Sequence, residues 1–199
     1  MRFKTSVLAI SILFGAATAL AGPPLVCHPF DIGGAPSLPW IAGDNWENPE
    51  PAYDLSRLTG DTLSLLGPRT PVVVRMETMR RAAIYSIRNH DAGRELLRRL
   101  SDRRTSSPGA IADFDYGYFA ATLKQLEWRY KEDLSNGVNG YEYVGKALAA
   151  DPGNAGMHFA AALMADTTAL ANDRTAHLNK ARSAASDTLL AANLRSHFR

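Results

Sequence analysis

Residues 141–163 read YEYVGKALAADPGNAGMHFAAAL, and this stretch decides the fold. Tyr141, Val144 and Leu148 recur at offsets of three and four, the spacing that lines one side of a helix. Asp151-Pro152-Gly153 then stops that helix, because proline removes a backbone donor and restricts the residue before it. Asn154 stands where its side chain caps a new helix starting at Ala155. The second segment is crowded with Ala160, Ala161 and Ala162, small residues that favour helix and let two axes approach closely.

The same punctuation repeats outward from this hairpin. Toward the C-terminus the spacing predicts a helix over 155–170 and another from a cap at Asn172 or Asp173 to about Ser196. Both are alanine-rich and form a tight antiparallel pair. Toward the N-terminus, Asn136-Gly137 and Asn139-Gly140 mark a loop, preceded by a helix over 111–131 that uses Phe114, Tyr118, Phe119, Leu123, Leu126 and Tyr130. Ser106-Ser107-Pro108-Gly109 separates it from a helix over 91–104. Thr70-Pro71 opens another to Asn89, with Val73, Met76, Ala83, Ile84 and Ile87 on one stripe and Arg75, Arg81 and Arg88 largely on other sides. The first helix runs over 53–66 and ends at Gly67-Pro68. Strand signals are confined to the valines after Pro71. Residues 52–199 therefore read as one all-α domain of about seven helices in antiparallel hairpins.

Residues 22–51 are different in kind. Their prolines and glycines forbid a useful helix, yet Phe30, Ile32, Leu38, Trp40, Ile41 and Trp46 are too apolar for a disordered linker. The stretch reads as an extended arm laid across the helices, burying its tryptophans there.

Ahead of it, residues 1–21 have the form of a secretory signal peptide. Arg2 and Lys4 supply the positive start, residues 6–17 the apolar run, and Ala19-Leu20-Ala21 the small-x-small cleavage pattern. Fifteen residues from Ser6 to Leu20 fall short of the roughly twenty that a membrane span needs. The expected product starts at Gly22, is periplasmic or secreted, and is not an integral membrane protein. Val26 before Cys27 is too bulky for a lipoprotein cut. Loss of Arg2 and Lys4 leaves twenty basic residues against twenty acidic ones, a formally neutral chain. The charge is uneven, however: residues 22–68 carry six acids and one base, and residues 69–104 carry ten arginines and four acids. The acidic segment is expected either to lie against the arginines within the molecule or to leave them facing an anionic partner. With one cysteine, no internal disulfide is available and packing alone holds the fold.

The stretch at 141–163 resembles the junction between two tetratricopeptide repeats. Ala147 is followed five positions on by Pro152, and Gly140 takes a second small position seven residues earlier. The resemblance covers about residues 114–190 and implies right-handed stacking of helical hairpins. The chain also resembles an uncharacterised group of exported bacterial proteins in Cys27-His28-Pro29-Phe30 and in the arginine-rich segment from Arg75 to Arg81. That resemblance implies no reaction.

Cys27, His28 and Asp31 are the one cluster of ligand-capable side chains close together in sequence. A thiolate and an imidazole suit zinc, copper or haem iron, with distant partners completing the set. No CxxCH or HExxH motif is present, so no cofactor and no metal is expected; a metal- or haem-binding redox protein using Cys27 and His28 is the alternative reading. His28 is poorly placed to activate the preceding thiol as a nucleophile, and no catalytic motif is visible. Asp113 and Asp115 suit helix capping. Arg80, Arg81, Arg88, Arg98 and Arg99 are the candidate partner-binding residues, since guanidinium makes paired hydrogen bonds to carboxylate and phosphate. The leading expectation is an interaction or scaffold module that meets a protein or an anionic envelope component. Nucleic acid is excluded by the compartment.

Overall fold

Glycine permits a close approach of two helix backbones. The structure is a computed structural model describing residues 23–43, 45–165, 167–185 and 188–198; the leader assigned to residues 1–21 lies outside the described residues. A Cβ on Gly117 would stand 2.6 Å from the Cβ of Tyr143 and 2.7 Å from the Gly140 carbonyl oxygen, and one on Gly140 would run into the Gly117 carbonyl. The helices carrying the two glycines, α4 (Ala110–Gln125) and α6 (Gly140–Ala150), form the most extensive interhelical contact. Neither backbone approach leaves room for a side chain.

The other elements are α1 (Leu58–Leu65) after a 3-10 turn at Leu55–Arg57, α2 (Val72–Ser86), α3 (His90–Ser106), α5 (Glu127–Tyr130), α7 (Ala155–Met164), α8 (Ala171–Ser183) and α9 (Thr188–His197). All regular structure among the described residues is helical, apart from one isolated bridge between Trp40 and Pro49. No described helix is long and apolar enough to cross a membrane. Local caps account for several starts. Asn89, Asn139 and Asn154 each accept a hydrogen bond from the backbone three residues on, which satisfies a donor that the first turn leaves orphaned.

Three expected helices are shorter or divided. The helix expected over 111–131 breaks at Leu126, where the backbone leaves helical geometry, and α5 ends at Lys131 in the left-handed region at φ 58°. The one expected to reach Leu170 stops at Met164, followed by a 3-10 turn at Thr168–Leu170. The last one splits into α8 and α9 around Ala184. At the last two breaks the alanine-rich sequence offers no local stop signal, so tertiary packing sets them.

At the centre lies α2, which contacts α1, α3, α4 and α7. Both of its sides are buried. Met76, Met79, Ala83 and Ile84 are buried, Arg75 meets Asp115 of α4, and on another side Glu77, Thr78 and Arg80 are equally shut off from solvent. Residues 23–51 cover much of that second side and contribute Leu25, Val26, Phe30 and Leu38 to the core. The tryptophans expected to be buried there are only partly so: Trp40 and Trp46 pack at the core's edge and the aliphatic residues go deepest.

Candidate functional site

The arginines of α2 bind backbone. Arg80 pairs side-on with Glu77, Nε to Oε2 at 2.7 Å and Nη2 to Oε1 at 2.9 Å, and its Nη1 donates to the carbonyls of Val26 at 3.0 Å and Trp46 at 2.8 Å. Arg81 donates from Nε to Glu77 Oε1 and from Nη1 to the Leu38 carbonyl, both at 2.7 Å. Phe30 N–H completes the acceptors of Glu77 at 3.1 Å. Trp40 lies against both guanidinium groups, 5.0 Å from that of Arg80 and 5.5 Å from that of Arg81. Burial opposes ionisation of Glu77, but the hydrogen bonds and charge of Arg80, with those of Arg81, prevail and hold its carboxyl below the usual range. Arg88 reaches the Pro51 carbonyl at 3.0 Å. The arginine-rich helix thus holds the acidic N-terminal stretch chiefly by its carbonyl oxygens.

A second buried ion pair lies further along α2. Arg75 Nη1 meets Asp115 Oδ2 at 2.7 Å, and its other nitrogens donate to the carbonyls of Thr70, at 3.0 Å, and Gly67. Burial pushes the Asp115 carboxyl up to about 6 against the opposing pull of Arg75 and Arg103, and its other oxygen receives no hydrogen bond from the described residues.

Of the five arginines proposed for partner binding, Arg80 is wholly buried, Arg81 is half-buried against the Leu38 carbonyl, Arg88 is exposed but bonded to the Pro51 carbonyl, and Arg98 and Arg99 of α3 are exposed. Arg98 is itself paired with Glu95 at 2.7 Å and Asp102 at 2.8 Å. The set is therefore not one surface.

Cys27 and His28 lie near the C-terminus of the chain. Asn193 on α9 accepts from Asp31 N–H at 2.9 Å and donates to the Asp31 carbonyl at 2.8 Å, which brings His28 beside His197 with rings 6.3 Å apart. Both nitrogens of His197 face carbonyl oxygens, Nδ1 that of Asn193 at 3.0 Å and Nε2 that of His28 at 3.4 Å, and carbonyls only accept. Ser196 Oγ also meets Nδ1, at 2.9 Å, and burial lowers the His197 pKa, so the neutral ring keeps one lone pair, which the Ser196 hydroxyl is placed to satisfy. Among the described residues no three ligand-capable side chains gather as a metal set. Burial raises the Cys27 pKa, against the pull of Arg80, so the thiol stays protonated.

Two features escaped the sequence reading. His158 on α7 and His177 on α8 approach Nδ1 to Nδ1 at 2.8 Å, and His158 Nε2 faces the Pro152 carbonyl at 3.0 Å. The carbonyl assigns the hydrogen to Nε2, so in the neutral pair His177 Nδ1 donates to His158. The second feature lies on α8 and α9. There Arg182, Ala185, Ala191, Leu194, Arg195 and Phe198 line a depression of about 380 Å³, with the Arg174 guanidinium 5.4 Å from the Phe198 ring. Nineteen residues separate the two histidines, and the depression draws on two helices; no local spacing announces either.

The chain matches no protein-family model, no curated protein and no solved structure.

Proposed function

We propose that this chain is an exported helical interaction module that binds an anionic partner through the outer side of α8 and α9. The observation that carries the reading is a group of cations close together on α8 and α9 that no described acid engages; Arg69, Arg99 and Lys131 also make no ion pair with a described residue but do not form such a group. Arginines of α2 and α3 are largely consumed by Glu77, Asp115, Glu95, Asp102 and backbone carbonyls. Arg174, Lys180, Arg182 and Arg195 make no ion pair with a described residue, and most of α8 is exposed. Such a surface raises the local concentration of anions and steers their approach. The leader pattern in residues 1–21 supports export, which makes an envelope component the fitting partner class. The sequential packing of α6 on α7 and α7 on α8 supports tetratricopeptide-like stacking of hairpins.

Two measurements test this. Expression of the full chain in a bacterium, followed by mass spectrometry of the periplasmic fraction, is expected to yield a form beginning at Gly22; an intact chain retained in the cytosol overturns export. Anisotropy with fluorescent poly-L-glutamate is expected to weaken about tenfold in Arg174→Glu/Lys180→Glu/Arg182→Glu and to change little in Arg98→Glu/Arg99→Glu. The reverse ranking overturns the placement on α8 and α9.

A further inference from the structure

We infer that the depression between α8 and α9 binds a single-chain anionic amphiphile, an alkyl or acyl chain ending in phosphate or carboxylate. The inference rests on the anionic-partner reading above and names its ligand class. Its floor is apolar, formed by Ala185, Ala191, Leu194 and Phe198, and the small alanines leave the space that larger side chains would fill. Its rim is cationic. Arg182 spends one nitrogen on the Phe198 carbonyl at 3.3 Å, and Arg195 at the mouth makes no ion pair with a described residue. Arg174 packs against the Phe198 ring beside the depression without lining it.

Each guanidinium presents a planar fork of donors that matches the oxygens of a phosphate or carboxylate. A bare anion would satisfy the rim and leave the floor wet. A neutral chain would cover the floor and displace water from two cations without replacing its hydrogen bonds. A molecule carrying both parts meets both demands, and a volume of about 380 Å³ accommodates a headgroup with the first part of its chain.

Isothermal titration of the purified full-length protein with monomeric decyl phosphate, decanol and inorganic phosphate tests the site. Decyl phosphate is expected to bind one per chain, about tenfold or more tighter than either fragment. Arg182→Gln/Arg195→Gln, both at exposed positions, is expected to lower that affinity by about tenfold with an unchanged thermal midpoint. Absence of saturable decyl phosphate binding overturns the inference. So does equal binding of inorganic phosphate, equal binding by the double variant, or binding seen only with phosphatidylglycerol vesicles. Poly-L-glutamate binding that persists while decyl phosphate fails overturns this site alone; loss of both overturns the anionic surface as well.

Discussion

Arg80 and Glu77 stand one turn apart on α2, joined by two parallel hydrogen bonds and closed off from water. On an exposed helix such a pair contributes a few tenths of a kcal/mol. Burial changes the balance, because the guanidinium also carries the carbonyls of Val26 and Trp46 and the carboxylate also receives Phe30 N–H. The two side chains form the joint between the irregular N-terminal stretch and the helices.

Removing one partner of that joint strands the other charge. Glu77→Gln is expected to cost about 3–5 kcal/mol in urea unfolding. Glu95→Gln, which breaks the exposed pair with Arg98, is expected to leave the transition almost unmoved. Equal effects of the two substitutions would contradict the assignment.

Asn193 clasps the other end of the stretch by mimicking a peptide group against Asp31. Asn193→Ala removes both bonds to the exposed Asp31 and a third to the Leu189 carbonyl, for an expected loss of about 1 kcal/mol. Hydrogen exchange should accelerate around residues 28–35 before α2 is affected. Uniform acceleration across the helices would argue against a local clasp.

Asp115 gives a pH signature of defined sign. Its carboxyl titrates at about 6 in the folded chain against an ordinary 3.8, so between those values the folded state holds a proton that the unfolded state has released. Stability from this group therefore falls as pH rises through that window. Asp115→Asn is expected to flatten the slope, read from urea midpoints at pH 4, 5, 6 and 7. A slope unchanged in the variant would refute the shift.

Two glycines of α6 separate space from conformation. Gly140→Ala, like Gly117→Ala on α4, pushes a methyl into facing backbone and is expected to destabilise by about 1–3 kcal/mol. Gly145→Ala meets nothing within 4 Å and is expected to stabilise by about 0.4–1 kcal/mol. Thermal midpoints moving in the same direction for both α6 variants would show that the close approach is not what selects glycine.

Cys27 is expected to react slowly with a thiol reagent at pH 8 in the folded protein and fast in urea, since burial keeps the sulfur protonated. Fast labelling in the native state would reopen the thiol as a working group.

Much of the helical order was legible. Asn154 announced the start of α7 and Asp151-Pro152-Gly153 the end of α6, because caps and breakers act within one turn of the residue that carries them. The division of the last two expected helices was not legible, for alanine is compatible with both continuing and stopping. The site fared worse. Arg80 and Arg81 looked like surface charges because the stripe of Met76, Ala83 and Ile84 already supplied α2 with one apolar side.

The amino-acid sequence alone determined that the described chain would be helical and where several of its helices would begin, since those decisions rest on neighbours three or four residues apart. Only the tertiary structure decided that α2 would be covered on two sides, and hence which arginines are taken up inside the fold. Their partners are largely backbone carbonyls from residues 26–70, and a carbonyl is the same in every amino acid, so no pattern of side chains records where it will be met.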